Sequence, residues 1–316
     1  MMNVEIVKGA ILGHAVGDAL GVPAEFIPRE KLQKNPIIDM LGYGSHNVPK
    51  GSWSDDTSME LCTLSSIACK GEIDLDDIMA GFVKWVEEGY MTPHGRVFDM
   101  GRTCLHAIMN YRRGRNVRCC GGEREYDNGN GALMRILPVC LYNYLTNANR
   151  DIAIDNIHSV SALTHAHDRS LIACGIYEFI VQELISAPRK SSVKKALSKA
   201  NDYYQDNEEN EKYHRLYAPD FELIPENDIK SGGYVVDTLE AAIWCLLNTP
   251  DYKACVLKAV NLGQDTDTVA AVAGGLAGIL YGYENIPSEW IDSLAKKDEI
   301  IDLCCSFYDA VITANR

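Results

Sequence analysis

Two short acidic stretches stand directly in front of apolar runs that have helical spacing. Residues 54–57 read Ser-Asp-Asp-Thr, and residues 263–268 read Gly-Gln-Asp-Thr-Asp-Thr. One Asp or Ser is enough to cap a helix, so each stretch carries surplus carboxylates. Oxygen donors without a neighbouring His or Cys suit Mg²⁺, Mn²⁺ or Ca²⁺ better than Zn²⁺. Either stretch alone would indicate a helix cap, whereas the pair together predicts a divalent-cation site.

The run after the second stretch, residues 269–280, carries small or apolar side chains on every side. It is shorter than the roughly 20 residues of a membrane span, so we predict a buried helix. Carboxylates at its start gain from free backbone N–H groups and the helix dipole, but they repel one another. Two negative charges against a buried element are costly unless something positive lies between them. The two stretches are therefore expected to meet in space around bound cations.

A glycine recurs at every fourth position of the first predicted helix, which covers residues 4–20. The four are Gly9, Gly13, Gly17 and Gly21. Each interior glycine costs about 1 kcal/mol relative to alanine, so close approach by another helix or by a ligand must offset it. The spacing is not G-x-G-x-x-G and no strand precedes it, which argues against a dinucleotide-binding fingerprint.

The remaining elements are mostly helical. Residues 21–53 form a long irregular segment of the kind that carries function in compact domains. A helix is expected directly after Gly131, with a kink at Pro138. Convincing strands are scarce, and the two acidic stretches, some 210 residues apart, must meet. We therefore predict an all-α protein with one domain over residues 1–316. Helical spacing predicts further helices over residues 57–70, 75–89, 99–113, 150–163, 168–186, 190–204, 234–247 and 252–262.

Composition limits the classes of partner. The chain of 316 residues has a net charge of −14, which argues against a nucleic-acid phosphate backbone as the main ligand. A small phosphorylated ligand is still compatible with that charge. Eleven cysteines, without C-x-x-C spacing, predict neither a zinc framework nor a disulfide ladder. With no signal-peptide pattern and no membrane span, a reduced, cytoplasmic setting is the expectation.

The sequence resembles the ADP-ribosylglycohydrolase family over nearly its whole length. The resemblance rests on seven motifs in the family order, which together are far more specific than any one of them. They are residues 13–21 with Glu25 and Phe26, 53–57, 98–103, 129–135, 164–165, 231–242 and 263–268.

The resemblance implies an all-α orthogonal multi-helix fold around two divalent cations, Mg²⁺ or Mn²⁺. Position by position, the implied metal ligands are Ser54, Asp55, Asp56, Asp265, Asp267 and Thr268. Ser54 stands where the family more often has Thr, and we expect little change because both offer oxygen. Gln264 stands where a Gly is more common, so its side chain is expected to narrow the site or alter the backbone. That departure bears on substrate choice.

The resemblance also implies catalytic and substrate-binding positions. Glu25 and Asp99 are the two candidate general bases, and the motifs do not rank them. The glycine-rich loop is expected to open a helix whose backbone N–H groups hold a diphosphate. Read alone, each of these residues has a structural explanation as a cap, a turn or a core side chain. The implied substrate contacts are Gly129, Asn130, Gly131, Met134, His165 and Tyr234.

The implied activity is metal-dependent hydrolysis of the glycosidic bond between ADP-ribose and a protein side chain, most simply arginine. An ADP-ribosylated protein would be the substrate and ADP-ribose a product. O-acetyl-ADP-ribose and ADP-ribosyl-serine are alternative substrates. Two-metal phosphoester hydrolysis uses similar oxygen-rich sites but would give AMP or phosphate. An ADP-ribose-binding or toxin-blocking immunity protein with little turnover is the alternative outside enzyme chemistry.

Overall fold

The computed structural model describes residues 3–315, and that part of the chain contains fourteen α-helices joined by 3₁₀ turns and loops. Pairing of extended backbone within it is limited to three isolated bridges. The first seven helices are α1 Val4–Gly21, α2 Arg29–Lys34, α3 Asp55–Lys70, α4 Leu75–Glu88, α5 Arg102–Arg112, α6 Leu137–Leu145 and α7 Arg150–Ser161. The others are α8 Asp168–Ser186, α9 Lys190–Tyr204, α10 Val235–Leu247, α11 Tyr252–Asn261, α12 Thr266–Tyr281, α13 Ser288–Ser293 and α14 Lys297–Ala314.

The all-α class predicted from the sequence is confirmed, and the predicted helix ends differ from the observed ones by at most three residues. The region after Gly131 was predicted incorrectly. A three-residue 3₁₀ turn, Leu133–Arg135, comes first, and α6 begins only at Leu137. Pro138 therefore lies in the first turn of α6, where its missing N–H costs no hydrogen bond, and it does not kink a longer helix.

Helices α1 and α12 cross the centre of the molecule side by side and antiparallel. A Cβ atom on Gly9 would lie 2.7 Å from the carbonyl oxygen of Gly278, and one on Gly17 would lie 2.1 Å from that of Ala270. Only glycine permits such a close backbone approach, so the glycine stripe of α1 faces another helix, as one of its two predicted explanations required. Almost every residue of α12 is buried, which confirms the buried helix predicted there.

The antiparallel arrangement places the end of α1 beside the start of α12. Thr266 donates its hydroxyl to the carbonyl oxygen of Gly21 at 2.8 Å. A Cβ atom on Gly21 would lie 2.3 Å from the Cα atom of Asp267. Helix α3 joins them because its first residues hydrogen-bond to Asp18 of α1. Three helix ends therefore meet, and two of them carry the acidic stretches.

The irregular segment between α1 and α3 covers this meeting point. Phe26 and the residue after it pair with Gln264 through two backbone hydrogen bonds, of 2.7 Å and 3.0 Å. Arg29 donates to the carbonyl oxygen of Leu262 at 2.7 Å. These contacts fix the segment against the loop that precedes α12. Within residues 3–315, no helix has the length and apolar character needed to cross a bilayer.

Candidate active site

The two acidic stretches meet at the carboxylate of Asp56. Its Oδ2 atom accepts the hydroxyl of Ser54 at 2.9 Å and the hydroxyl of Thr268 at 3.2 Å, one from each stretch. Its Oδ1 atom is buried and has no hydrogen-bond partner within residues 3–315, and the same holds for Oδ2 of Asp267. Buried polar atoms are nearly always paired, so two unpartnered carboxylate oxygens in one place fit a role as cation ligands.

Asp18 holds the start of α3 in position. Its carboxylate accepts the backbone N–H groups of Ser54 and Thr57 at 2.9 Å and 3.0 Å, and the Thr57 hydroxyl at 2.6 Å. Asp18 therefore caps α3 from a different helix. Carboxylate oxygens of Asp18, Asp56 and Asp267 all lie within 4.8 Å of one another. The capping contacts leave these three charges close together in the interior.

Burial and mutual repulsion act on the same carboxylates. Burial raises the pKa values of Asp55, Asp56 and Asp267 well above their usual range, and neighbouring carboxylates raise them further. In the part of the chain that the structure describes, no Lys or Arg forms an ion pair with any of them. The protein itself thus supplies little positive charge to this cluster. Bound cations would supply that charge.

A cavity of about 310 Å³ lies above the cluster and collects most of the predicted site residues. Ser54, Asp56 and Asp267 are not part of its wall, because they lie buried among the helix ends. The predicted residues in the wall are Glu25, Asp55, Asp99, Gly129, Asn130, Gly131, Met134, His165, Asp265 and Thr268.

Glu25 faces this cavity from the irregular segment and hydrogen-bonds to the ring of His46. Burial is the main cause that raises the pKa of Glu25, the hydrogen bond to His46 opposes it and the charge of Asp99 adds to it, and the net pKa is about 7. The ring of His46 lies 5.2 Å from the ring of Phe98, measured between centroids. One ligand atom each of Glu25, His46, Asp99 and Asp267 falls within 4.8 Å of the others.

The glycine-rich loop at residues 129–131 is tied to the segment before α10. Gly129 and Tyr234 form an antiparallel bridge, and the N–H of Asn130 donates to the carbonyl oxygen of Gly233 at 3.1 Å. Asn130 also donates its side-chain amide to Asp265 at 2.8 Å. The expectation that this loop opens a helix is wrong, and one of its N–H groups is already used. Its glycines nonetheless line the cavity.

Tyr234 is the one predicted substrate contact that lies outside both the cavity wall and the buried cluster. Its ring lies 5.7 Å from the guanidinium carbon of Arg169. Arg169 in turn makes two hydrogen bonds to Glu125, of 2.8 Å and 3.0 Å. Tyr234 therefore belongs to a polar network behind the glycine-rich loop.

The family model described as ADP-ribosylglycohydrolase matches residues 3–315. The chain belongs to the ADP-ribosylglycohydrolase family. It is 35% identical over 305 residues to a protein of Serratia proteamaculans named ADP-ribosylarginine hydrolase Tri1, a match that covers 94% of this chain and 77% of that one. It is 33% identical over 293 residues to the ADP-ribosyl-(dinitrogen reductase) glycohydrolase of Rhodospirillum rubrum, covering 92% of this chain and 90% of that one.

A solved structure supports the family assignment at the level of the fold. It is titled an ADP-ribosylglycohydrolase-related protein complex and superposes with a TM-score of 0.82 at 28% sequence identity. The match covers 98% of both chains. The predicted ADP-ribosylglycohydrolase fold is therefore confirmed.

The residues at the buried cluster fit the divalent cations that the family implies. The donors are carboxylate and hydroxyl oxygens, which Mg²⁺ and Mn²⁺ prefer. The unpartnered oxygens of Asp56 and Asp267 are the strongest sign of fit. The predicted set of six ligands stays a prediction. Asp265 is already hydrogen-bonded to Asn130, and Asp55 accepts a long hydrogen bond from the N–H of Gly101, at 3.4 Å.

Several residues at the site were not predicted from the sequence. His46 contacts Glu25, and two further residues line the cavity, Phe26 and Tyr126, which are 66% and 88% exposed. Phe26 belongs to the first family motif but was not predicted to line the site, and for His46 only the length of the irregular segment flagged the region. Gln264 does not narrow this cavity, because it lines a neighbouring one of about 530 Å³. The backbone of Gln264 is in the left-handed region, with φ 65°. A glycine, the more common residue of the family at this position, adopts that conformation without strain.

Proposed function

We propose that this member of the ADP-ribosylglycohydrolase family is an enzyme that hydrolyses the glycosidic bond between ADP-ribose and a modified arginine side chain of a protein. The relatives named ADP-ribosylarginine hydrolase, at 35% and 32% identity, support arginine as the modified residue. The products are ADP-ribose and the restored arginine. The partner is thus an ADP-ribosylated protein rather than a nucleic acid, in keeping with the net charge of −14.

One observation carries the proposal. The two acidic stretches meet at Asp56, and buried oxygens of Asp56 and Asp267 point at no partner within the described residues. We propose that Ser54, Asp55, Asp56, Asp265, Asp267 and Thr268 hold two Mg²⁺ or Mn²⁺ ions there. Divalent cations in such a site would supply Lewis-acid stabilisation of negative charge that develops on nearby oxygens.

Hydrolysis at the ribose anomeric carbon passes through an oxocarbenium-like state and needs an activated water. A carboxylate that takes up the proton of that water must be partly ionised at working pH and must face the reacting carbon. Glu25 lines the cavity, and its pKa of about 7 places it near neutral working pH. Asp99 also lines the cavity, with its pKa raised by burial. Both are proposed as candidate bases, and their ranking is tested below.

The cavity would orient the ADP-ribose moiety beside these carboxylates. Gly129, Gly131 and Met134 offer backbone and apolar surface, and His165 offers one ring nitrogen. The proposal places the ribose next to the acidic cluster and the diphosphate along the glycine-rich loop. The volume of the cavity, about 310 Å³, is at the lower end of the range for small-molecule sites.

Two broader expectations belong to the same proposal. We propose that residues 1–316 act as one domain, because buried residues from α1 through α14 join a single hydrophobic core. A cytoplasmic location is proposed on the cysteines, since all eleven are free thiols and nine are buried or half-buried.

The test supplies the purified protein with a peptide carrying ADP-ribosyl-arginine, one carrying ADP-ribosyl-serine, and O-acetyl-ADP-ribose. Each is incubated with Mg²⁺, with Mn²⁺ and with a chelator, and the products are identified by mass spectrometry. We expect intact ADP-ribose and unmodified arginine, with loss of turnover in the chelator. Asp56→Asn is expected to lower kcat/KM at least about 100-fold, since changes beside metal sites already cost about 10- to 100-fold.

The control is Asp206→Asn, which removes one carboxylate from the exposed surface and should leave turnover unchanged. Release of AMP would indicate phosphoester hydrolysis instead. Tight binding of ADP-ribose without turnover of any of the three substrates would indicate a binding protein. Faster turnover of the serine peptide or of O-acetyl-ADP-ribose would overturn the assignment to arginine.

A further inference from the structure

Arg135 is fully buried beneath the candidate active site and has no carboxylate to pair with. Its side chain is 0% exposed, and within residues 3–315 it forms no ion pair. Its guanidinium carbon lies 4.7 Å from the ring centre of Phe82, and its Nε and Nη1 atoms lack hydrogen-bond partners. A buried, unpaired charge is costly, so this one needs an explanation beyond packing.

Among the described residues, the only side chain that accepts a hydrogen bond from Arg135 is that of Thr164. Its Nη2 atom donates to the Thr164 hydroxyl oxygen at 2.7 Å and to the carbonyl oxygen of Val160 at 3.2 Å. The Thr164 oxygen also lies 2.8 Å from Nδ1 of His165. A continuous chain of contacts thus runs from the buried charge to a residue in the wall of the cavity.

Arg135 favours one direction of the hydrogen bonds along this chain, because it occupies one of the two acceptor positions of the Thr164 oxygen and its positive charge disfavours a second N–H donor there. A guanidinium has donors and no acceptor, so the Thr164 oxygen must accept from it. The single hydroxyl proton of Thr164 is then free to be donated to Nδ1 of His165. The thiol of Cys104 is also near that hydroxyl, but a neutral thiol is a weak acceptor.

Acceptance at Nδ1 leaves the ring proton of His165 on Nε2. Burial, together with the nearby charge of Arg135, lowers the pKa of His165 to about 3, so the ring carries one proton at neutral pH. Nε2 has no protein partner among the described residues. It lies against the glycine-rich loop, 3.6 Å from where a Cβ atom on Gly129 would be and 3.4 Å from one on Gly131. The cavity wall therefore contains an unused donor.

We propose that Arg135 and Thr164 are positioning residues that hold His165 as its Nε2–H tautomer, so that the ring donates one hydrogen bond to a phosphoryl or hydroxyl oxygen of bound ADP-ribose. The ligand rests on the proposed function, whereas the tautomer is a property of the free protein. Neither positioning residue touches the ligand. Both act through the imidazole ring.

The tautomer is measured first, on the ligand-free protein, by ¹⁵N NMR of the histidine rings. The signals of His165 are assigned by comparison with His165→Asn. We expect the Nε2–H form in the wild type and in Thr164→Ser, which keeps the hydroxyl. Thr164→Val has nearly the same shape without the hydroxyl, and there we expect a mixture of both tautomers.

Arg135→Met supplies a second variant that separates positioning from folding. Replacing a buried, unpaired charge by an apolar side chain of similar length does not lower stability on general grounds. Without the guanidinium charge, the Thr164 hydroxyl accepts from His165 as readily as it donates to it. We therefore expect a mixture of tautomers at an unchanged or higher melting temperature.

Binding of ADP-ribose is then measured by calorimetry in buffer with Mg²⁺. We expect Thr164→Val to bind about two- to threefold more weakly, because only part of its His165 rings then carry the Nε2–H donor, and Thr164→Ser to match the wild type. The Nδ1–H form in the wild type, a single tautomer in Thr164→Val, or wild-type affinity of that variant would each overturn the proposal.

A wild-type protein with the Nε2–H tautomer and no affinity for ADP-ribose would overturn the proposed function and the ligand assigned to this donor. The relay from Arg135 to His165 would survive that result. The two failures are therefore distinguishable.

Discussion

The carboxylates at this site have different surroundings, and these determine which of them can cap a helix, bind a cation or act as a base. Asp18 is saturated by the start of α3, Asp56 is shared between two hydroxyls, and Glu25 faces the cavity beside His46. Burial raises the pKa of all three carboxyl groups, and that of Glu25 reaches about 7. The environment of each residue, rather than its type, separates candidate ligands from candidate bases.

Substitution of the two candidate bases should rank them. We expect Glu25→Gln to lower kcat at least about 100-fold, because general base catalysis contributes on that order. Asp99→Asn is expected to have the smaller effect on kcat and to raise KM, since Asn also adopts the left-handed backbone of this position, φ 47°, and keeps a hydrogen-bonding side chain in the cavity wall. The measurement is single-turnover hydrolysis of the ADP-ribosyl-arginine peptide. A larger loss of kcat in Asp99→Asn than in Glu25→Gln would reverse this assignment.

A second prediction concerns Glu178, which is buried in α8 far from the cavity. Its Oε1 atom accepts from Asn143 at 3.2 Å and from Gln182 at 2.9 Å, while Oε2 has no partner in the described structure. Burial raises its pKa from 4.5 to about 8. Between these values the folded state binds more protons than the unfolded state, so stability falls as pH rises, by on the order of 1 kcal/mol per pH unit.

Glu178→Gln keeps the hydrogen-bond acceptor and cannot titrate. The variant should therefore lack the slope of about 1 kcal/mol per pH unit that Glu178 gives the free energy of unfolding between about pH 5 and pH 8. The free energy of unfolding of both proteins is compared by urea denaturation across that range. We expect the variant to gain on the wild type steadily as pH rises. Parallel pH profiles would show that Glu178 does not change its protonation on unfolding.

At the scale of elements, the contact between α1 and α12 determines where the site forms. Glycines let the two helices approach until a carbonyl of one nearly touches the backbone of the other. Because the helices are antiparallel, this contact also aligns the end of α1 with the start of α12. Any widening of the contact would move Asp18 relative to Asp267.

Gly17→Ala should therefore destabilise the protein by about 2–3 kcal/mol, a value typical of overpacking, because the new Cβ atom would lie 2.1 Å from the carbonyl oxygen of Ala270. The matched control is Gly81→Ala in α4, where the nearest atom would be 3.5 Å away. That change should be neutral or stabilise by up to about 1 kcal/mol through helix propensity. Chemical denaturation measures both. Equal midpoints for the two variants would contradict this account of the helix contact.

The helices could be predicted from the sequence because apolar spacing and caps are local signals. The glycine stripe and the acidic stretches are also local signals. The structure shows that the glycines face another helix and that the two acidic stretches meet in space. The turn after Gly131 was missed because Pro138 starts a helix as readily as it kinks one. His46 and Tyr126 could not be found, since their place at the cavity depends on how loops fold in three dimensions.

At the scale of the whole molecule, the buried carboxylates of the candidate site destabilise the folded protein. Each is desolvated, and each raises the pKa of its neighbours. Without bound cations, the cluster should therefore lower the stability of the entire domain. Natural proteins commonly accept such destabilisation at functional sites.

Removal of metal should accordingly lower the melting temperature by several degrees, because binding at 100 times Kd contributes about 2.7 kcal/mol. Asp267→Asn removes one charge from the buried cluster. We expect this variant to melt above the wild type in a chelator and to show no increase on addition of Mg²⁺ or Mn²⁺. Differential scanning calorimetry with and without the ions gives the comparison. A wild-type melting temperature that ignores both metals would contradict a cation site at this cluster.

The hydrogen bond between Asp56 and Thr268 joins residues 212 positions apart, and the one between Gly21 and Thr266 spans 245. Contacts of such high sequence separation form late, because a long loop must close first. During synthesis, the glycine face of α1 stays uncovered until α12, which lies in the last sixth of the chain, has been made. A nascent chain therefore has no early, partly active stage, and we expect its apolar first helix to depend on chaperones until α12 arrives.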